Sequence, residues 1–257
     1  EWHKKLFSYA KKKKLICFSS PFDETAVDFL EKLGTPAYKI ASFENDHYPL
    51  LKKVAKTGKP MIISIGLLKL KELKDIIKFI KKNGCKNFAL LKCTSTYPAN
   101  YHDLNLKTIL DLKKRFKCPV GFSDHSKGTS AALTAISFGA CIIEKHFTLD
   151  QNDEGVDSKF SLTPYELRQL KKDSITAWQS AGKVSYGATK NERTYTKYKR
   201  SIYVIKNLRK GETFNNKNLK IIRPNKGLHP KFYDKLLGKK SSKNLKYGTP
   251  FKFEFIN

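Results

Sequence analysis

Two short strings of the sequence place a histidine close to a carboxylate at corresponding points. The strings Ser123-Asp124-His125 and Glu144-Lys145-His146 each close an apolar run that is typical of a strand. Two imidazoles on adjacent strands, with oxygen donors and open positions nearby, suit a divalent ion such as Mn²⁺, Co²⁺ or Zn²⁺. A histidine at a strand end is also often only hydrogen-bonded, so the pair by itself leaves a metal site and a structural role both open.

A lysine lies within another strand-like run. Lys39 is flanked by apolar residues in 38–42, and Glu44 follows. A buried lysine without a partner would be costly. Lys39 is therefore expected to bind an anion, to form a Schiff base, or to be paired with Glu44 or Glu144, and the sequence leaves these roles open.

Small hydroxyl side chains collect at the ends of the predicted strands. They are Ser20, Ser42, Ser64, Thr94, Ser95 and Ser123. Grouped around a lysine, such donors indicate a cradle for a phosphate or a carboxylate. No nucleophile elbow and no Ser, His, Asp order is present, which argues against a hydrolase triad. Cys93 is predicted to lie inside the fold without a catalytic role.

These residues must be positioned by a repeating pattern of apolar runs and amphipathic stretches of helical length. Strands are predicted at 15–20, 37–42, 60–65, 88–93, 119–124 and 141–146, and helices at 23–33, 48–56, 70–83, 104–116 and 130–139. The alternation predicts an α/β fold with a parallel sheet. Because polar residues follow the strand ends, and because no GxGxxG or GxxxxGK[ST] loop is present, a TIM (β/α)8-type barrel is favoured over an open doubly wound sheet.

The chain is expected to contain two domains. Only about six of the eight units of a barrel are present, so 1–181 is predicted to be a partial TIM barrel that lacks its first two strands. The polar segment 182–199 is predicted to be a linker. Residues 200–257 are predicted to form a small β-rich domain, with strands at 201–205, 220–223 and 249–256.

Composition narrows the class of partner. The 257 residues carry 51 Lys and Arg against 23 Asp and Glu, a net charge of +28, but only six of the basic residues are arginine. Nucleic-acid surfaces favour arginine and interleaved aromatics, so solvated lysine faces are preferred over a nucleic-acid site. The basic field could still steer an anionic substrate.

The cysteine pattern and the hydropathy of the chain indicate the cellular compartment of the protein. The five cysteines show no CxxC or Cys/His metal spacing, which predicts reduced thiols in the cytoplasm. No apolar run reaches about 18 residues and no signal peptide opens the chain, so neither a membrane span nor secretion is expected.

Seven ordered strings of the chain resemble one family. They are CFSSPFDETAVDFLE (17–31), PAYKIASFE (36–44), GKPMIISIG (58–66), LLKCTSTYP (90–98), PVGFSDHS (119–126), EKHFTLD (144–150) and DSKFSL (157–162). They resemble the nonulosonic (sialic) acid synthases, the NeuB family. KNLRKGETF and IIRPNKG resemble the family's SAF (antifreeze-like, β-clip-like) domain. Within the family, ASFE and DSKFSL are more similar to pseudaminic acid synthases than to N-acetylneuraminate synthases.

The resemblance implies a reaction and a set of roles. Phosphoenolpyruvate would condense with an open-chain N-acetylated amino sugar, a 2,4-diacetamido-2,4,6-trideoxy hexose in the pseudaminic branch, and release phosphate. A divalent metal, Mn²⁺ in the first place and Mg²⁺ or Co²⁺ as alternatives, would be held by His125 and His146. The residues implied to bind phosphoenolpyruvate are Lys39, Ser20, Ser42, Ser64 and Ser123. The pocket would be lined by Ser95 and Tyr97.

The remaining implied roles concern the sugar and the assembly. Four acidic residues would orient the sugar and the attacking water, namely Glu44, Asp124, Glu144 and Asp157. Arg223 would reach the sugar site of a partner subunit in a domain-swapped homodimer. N-acetylneuraminate synthase, legionaminate synthase and an inactive truncated paralogue remain as alternatives. Because the family carries a catalytic glutamate in its first two strands, the 257 residues alone are expected to be inactive.

Overall fold

Five parallel strands form the sheet of the first of two units, which covers Glu1–Gly182. The protein is described here by a computed structural model of residues 2–257. The strands are β1 (Tyr38–Ile40), β2 (Met61–Ser64), β3 (Phe88–Cys93), β4 (Val120–Asp124) and β5 (Ile142–Lys145). Each strand pairs with the next one in the chain, so the order in the sheet is β1-β2-β3-β4-β5.

Helices precede the sheet, connect its strands and follow it. They are α1 (Trp2–Lys12), α2 (Glu24–Lys32), α3 (Tyr48–Lys56), α4 (Leu70–Lys82), α5 (Thr108–Phe116), α6 (Ser130–Ser137) and α7 (Pro164–Ala181). This alternation confirms the predicted α/β barrel architecture, here as a parallel half-barrel.

The sheet is strongly curved. In a flat sheet, the first and fifth strands would lie about 19 Å apart, because neighbouring strands are separated by about 4.8 Å. Yet Lys39 of β1 and Glu144 of β5 approach to 3.4 Å between Nζ and Oε1. The length of the two side chains accounts for part of the difference, and the curvature of the sheet accounts for the rest. The interior of the half-barrel is therefore narrow enough for side chains of opposite strands to meet.

Alternation along the strands separates a helix-facing side from the interior side. The outward residues Tyr38, Ile40, Met61, Ile63 and Phe122 are fully buried in the apolar core beneath the helices. Each such side chain contributes roughly 1.5–3 kcal/mol by leaving water. The intervening positions carry the polar side chains of the interior.

Helix α4 shows why these segments fold as they do. Leu73, Ile76, Ile77 and Ile80 recur at the spacing of one helical face and are all buried against the sheet. The helix ends at Lys82 with Asn83 as its C-cap, and Gly84 follows with a φ of 108°, which a glycine adopts without strain. Its polar face carries the lysines that raise the charge of the chain.

The first predicted strand, 15–20, forms only a single bridge, from Ser19 to Tyr38 of β1. Residues 11–16 are exposed, and α1 precedes them. The segment therefore adds one bridge, rather than a full ladder, to the edge of the sheet.

The second unit, Lys183–Asn257, has its own apolar core around Ile202, Phe214 and Phe251. Strands β6 (Ser201–Val204) and β7 (Leu219–Ile222) pair antiparallel, and the short helix α8 covers Tyr233–Leu236. The strand predicted at 249–256 is instead a bridge from Pro250 to Tyr203 followed by a 3-10 helix, Phe253–Phe255. Pro250 has no N–H to donate, which limits pairing there.

Residues 183–199 connect the end of α7 to β6. All of them are exposed, and a 3-10 helix covers Glu192–Tyr198. Within residues 2–257, no helix combines the length and the apolar character that crossing a bilayer requires.

Candidate active site

A network of side chains joins four strands of the half-barrel across its interior. Lys39 Nζ donates to Ser64 Oγ at 2.8 Å and lies 3.4 Å from Glu144 Oε1. Ser123 Oγ donates to the same Glu144 oxygen at 2.6 Å. Lys39 is only 8% exposed, so its charge is compensated by Glu144 and not by solvent. The structure thus brings together four of the predicted site residues at the carboxyl ends of the strands.

The two histidines lie side by side beyond the ends of β4 and β5. Their ring centroids are 5.2 Å apart, with the planes inclined at 68°. His125 Nδ1 lies 3.0 Å from Thr94 O, and His146 Nδ1 lies 3.2 Å from Asp157 Oδ2. Because a carbonyl only accepts, His125 Nδ1 carries the proton of its contact with Thr94 O, and the nearby Asp157 carboxylate favours a proton on His146 Nδ1. Each neutral ring therefore keeps the lone pair on Nε2, the arrangement that metal-binding histidines use.

The environment shifts the pKa values of the two rings in opposite directions. Burial lowers the pKa of His146, and the neighbouring His125 lowers it further, against the opposing effect of Asp157. Burial also lowers the pKa of His125, but hydrogen bonds with Cys93 and Thr94 O raise it by more, so its pKa lies above the usual value. The two rings therefore differ in basicity, and His146 is the less basic of the pair.

Two aromatic rings enclose the histidines. The Tyr97 ring lies 4.2 Å from the His125 ring between centroids, and Phe160 lies 5.1 Å from His146. Burial, followed by the charges of nearby groups, raises the pKa of the Tyr97 phenol. Tyr97 is therefore a neutral wall of the pocket, and Phe160 is a lining residue that the sequence reasoning missed.

Cys93 lies inside the half-barrel, as predicted, and its sulfur contacts polar neighbours. Its Sγ is 3.8 Å from His125 Nδ1 and 3.7 Å from Ser95 Oγ. Burial raises the pKa of this thiol, but the hydrogen bond with His125 is the largest of the opposing effects, which together bring the pKa to about 7.

Two buried polar atoms of the segment that follows β1, Ser42 Oγ and Glu44 Oε2, have no hydrogen-bond partner within residues 2–257. Ser42 and Ser95 converge on the bare backbone of Gly66. A Cβ there would lie 2.6 Å from Ser42 Oγ and would overlap Ser95 Oγ. Buried groups of this kind are normally hydrogen-bonded, so their donors and acceptors are available to a ligand.

Asn45 fixes this part of the pocket from beneath. Its Nδ2 donates to Ser64 O at 3.1 Å and to Gly66 O at 3.0 Å, and the residue is buried. The sequence reasoning did not find Asn45. In the sequence, Asn45 is distinguished only by its position one residue after Glu44.

Asp124 lies apart from this network. Its Oδ2 forms a buried ion pair with Lys145 Nζ at 2.9 Å, and its Oδ1 accepts from Ser126. Asp124 follows Ser123 in β4 and therefore points to the opposite face of the strand. The structure does not bring Asp124 together with the other predicted acidic residues.

Two further predicted residues lie outside the network. Ser20 is half-buried one residue after the Ser19 bridge, and its side chain makes no hydrogen bond within residues 2–257. Arg223 is an exposed residue of the second unit, directly after β7.

The donor set fits a divalent cation through two protein ligands. Among residues 2–257, no group of three or more His, Cys, Asp and Glu side chains is arranged around one metal position. The two free Nε2 atoms of His125 and His146 nevertheless form a pair of neutral nitrogen donors in a polar pocket. An ion such as Mn²⁺ would complete its coordination with water and ligand oxygens.

The alternating strands and helices, with these polar side chains at the carboxyl ends of the strands, define a TIM-barrel type of α/β active site. The chain belongs to the NeuB family, whose profile matches residues 1–186, and the SAF domain profile matches residues 199–257.

Relatives of known name include two synthases of Campylobacter jejuni. One, named pseudaminic acid synthase, is 43% identical over 253 residues, covering 98% of this chain and 74% of the relative. The other, named N,N'-diacetyllegionaminic acid synthase, is 41% identical over 247 residues, covering 95% and 74%. Among solved structures, the N-acetylneuraminic acid (sialic acid) synthetase of Leptospira borgpetersenii in complex with citrate matches with a TM-score of 0.71 and 33% identity. That match covers 76% of this chain and 70% of the other.

Proposed function

We propose that this protein is a nonulosonic acid synthase that condenses phosphoenolpyruvate with the open-chain form of an N-acetylated amino sugar. The observation that carries the proposal is the adjacency of two sets of groups at one end of the half-barrel. One set is the cationic, hydroxyl-rich network around Lys39, and the other is the histidine pair with free Nε2 atoms.

The network around Lys39 supports binding of phosphoenolpyruvate. Its phosphate and carboxylate need a cation and several short donors, which Lys39, Ser64 and Ser123 supply. Ser42 adds a buried hydroxyl without a partner. Glu144 holds both Lys39 and Ser123 in place before the substrate arrives. Such preorganised groups need little rearrangement during the reaction.

The condensation requires a carbon–carbon bond and the departure of phosphate. The methylene carbon of phosphoenolpyruvate bonds to the aldehyde carbon, and the aldehyde oxygen takes up a proton and becomes a hydroxyl. Water adds to the phosphate-bearing carbon and loses a proton. The bond from that carbon to the phosphate oxygen then breaks, which leaves a 2-keto acid and inorganic phosphate. Glu44, which has one buried oxygen without a partner, would accept a hydrogen bond from the water or from a sugar hydroxyl.

His125 and His146 would hold the divalent ion, which when bound polarises the aldehyde oxygen. Asp157 keeps His146 in the required tautomer, as Thr94 O does for His125. Tyr97 and Ser95 line the space between the two halves of the site. We take the ion to be Mn²⁺, with Mg²⁺ and Co²⁺ as the alternatives to be compared.

For the sugar, we propose the 2,4-diacetamido-2,4,6-trideoxy hexose that gives pseudaminic acid. Pseudaminic acid synthases of Campylobacter jejuni and Helicobacter pylori support this choice, at 38–43% identity. The legionaminic acid synthase at 41% identity makes its sugar the second candidate. We also propose a domain-swapped homodimer in which the exposed Arg223 reaches the partner's sugar, and a cytoplasmic location, which the five free cysteines support.

The test is phosphate release by purified full-length protein given phosphoenolpyruvate, Mn²⁺ and each candidate sugar in turn. We expect release with the pseudaminic precursor, and at least a 100-fold loss, to order of magnitude, in His125→Ala. His3→Ala, which removes an exposed histidine of α1, is the matched control and should keep full turnover. Phosphate release at background with every sugar would refute the synthase proposal, and release with another sugar alone would reassign the substrate.

A further inference from the structure

A second set of contacts joins β4 to β5, on the face opposite the Lys39 network. In the register of the two strands, Ser123 lies beside Glu144 and Asp124 lies beside Lys145. The first pair is bonded on the interior face. The second pair is bonded on the other face, with 2.9 Å between Asp124 Oδ2 and Lys145 Nζ. The next residue of each strand is a histidine of the candidate metal pair.

The ion pair also holds the residue on the far side of His125. Asp124 Oδ1 accepts from Ser126 N at 2.8 Å and from Ser126 Oγ at 2.6 Å, and Lys145 Nζ donates to Ser126 O. Both chain neighbours of His125 are therefore fastened to Lys145, the residue before His146. The Lys145 side chain therefore links the segment around His125 to the residue before His146.

Burial makes this arrangement stiff. The side chains of Asp124 and Lys145 are 0% and 3% exposed. Neither group can exchange its partner for water without exposing a charge to an apolar environment, which is strongly unfavourable. A buried ion pair adds little net stability relative to an apolar pair of the same volume, so stability alone does not account for it. What it does supply is a fixed distance and direction between two strand ends.

We propose that Asp124 and Lys145 are positioning residues that fix the separation of the His125 and His146 imidazoles and thereby set the affinity of the protein for a divalent cation. The inference rests on the proposed function, because it takes the two histidines as the metal ligands. Ligand positions must hold to about 0.5 Å for such a site to form. Neither residue touches substrate or metal in this role.

The test uses a double variant that removes both charges together. Asp124→Asn with Lys145→Met leaves no unpaired buried charge and nearly preserves side-chain volume, so the fold is expected to persist. Binding of MnCl2 to the full-length protein is followed by the electron paramagnetic resonance signal of free Mn²⁺. We expect the dissociation constant to rise by about 10-fold or more, the usual effect of losing a group that orients metal ligands. The melting temperature of the metal-free protein is measured beside it.

The matched control removes another lysine–carboxylate pair of the same unit. Glu31→Gln with Lys59→Met deletes an ion pair of 2.8 Å that joins α2 to the residue before Pro60, away from the histidines. The Mn²⁺ dissociation constant should then equal that of the parent. A milder variant, Ser126→Ala, keeps the ion pair and removes one bond to Asp124. It should weaken Mn²⁺ binding measurably but by less than the double variant does, with little change in the turnover at saturating Mn²⁺.

The outcomes separate this inference from the proposed function. If His125→Ala abolishes Mn²⁺ binding but the folded double variant binds within about twofold of the parent, the positioning role is overturned and the synthase proposal stands. If the parent does not bind Mn²⁺, or His125→Ala binds it unchanged, both the metal assignment and this inference fail. Should the double variant not fold, Ser126→Ala decides, and unchanged affinity there overturns the inference.

Discussion

Gly66 shows how much of the candidate site depends on an absent side chain. Its φ is not in the left-handed region, so the backbone would accept other residues. A Cβ at this position would meet Ser42 Oγ and Ser95 Oγ, and these side chains would have to move. Asn45 holds the carbonyl of Gly66 from the other side, so the loop has little freedom to retreat. The constraint on this position is therefore space rather than backbone conformation.

We therefore expect Gly66→Ala to destabilise the protein by roughly 1–3 kcal/mol, the usual cost of overpacking a buried position. Urea unfolding at pH 7 measures the change. In a Ser95→Ala background the same substitution should cost less, because the overlapping hydroxyl is gone. Equal losses in the two backgrounds would show that the contact with Ser95 is not the cause.

At the scale of single residues, sequence reasoning found most of the groups that face the interior, Glu144 among them, and missed Asn45 and Lys145, which hold neighbouring backbone. The adjacency of His125 and His146 follows from their equivalent positions on neighbouring strands. For Lys39, a structural ion pair and an anion site were both left open, and the structure has it paired with Glu144 and Ser64. Lys145 could not be recognised because its role depends on the register of β4 and β5.

At the scale of elements, α2 is fastened to the sheet through one carboxylate. Glu31 near the end of α2 accepts from Tyr38 of β1 at 2.6 Å and from Lys59 at 2.8 Å. Burial raises the pKa of Glu31, but the hydrogen bonds from Lys59 and Tyr38 lower it by more, so its pKa lies below the usual 4.5. A carboxyl whose pKa is lower in the folded state stabilises the fold above the pKa of the unfolded chain.

Lys59→Met should reduce the free energy of unfolding at pH 7 by about 0.5 kcal/mol, because both partners are partly exposed and solvent screens the pair. The difference from the parent should shrink as the pH falls through the folded pKa of Glu31, below 4.5. Urea unfolding at a series of pH values measures it. Lys32→Met, which removes a neighbouring exposed lysine of α2, is the control. A difference that persists unchanged under acid conditions would contradict this account.

Helices and strands were predicted correctly where an apolar helix face packs on a strand that is paired along its length. The five internal strands and their helices were predicted because each apolar run packs on a helix whose pattern is equally clear, as in α4. The segments 15–20 and 249–256 have the composition of strands, but each forms only isolated bridges. The residue composition shows a preference for the extended conformation, but a strand also needs a neighbouring strand with which to form hydrogen bonds along its length.

At the scale of the whole molecule, the second unit begins with an exposed segment that the sequence predicts to be a linker. Residues 183–199 are all exposed, and 183–189 have no regular secondary structure. Cuts within residues 1–15 are set aside. Among the other sites, trypsin should cut this segment first, at Lys183, Lys190 or Lys199, and mass spectrometry of early time points would detect the products. Lys171 and Lys172, exposed but within α7, should be cut later. An earlier cut in 16–182 would contradict the predicted linker.

The net charge of +28 comes mainly from lysines in two kinds of environment. Lysines of α4 lie on its polar face, whereas Lys39 and Lys145 are buried with carboxylate partners. The bulk of the charge therefore says little about chemistry, and two lysines that composition could not single out are tied to the site. The prediction that no nucleic acid is bound stays a prediction.

At the carboxyl ends of β4 and β5, the side chains on the two faces of the strands have different roles. This difference matters for redesign of the pocket. Ser123 and Glu144 face the interior, while Asp124 and Lys145 face away from it. A library that randomises Ser123 and Glu144 can therefore alter the pocket around Lys39 while the strand ends stay locked together. Randomising the intervening positions would instead loosen the frame and leave the chemistry of the pocket wall untouched.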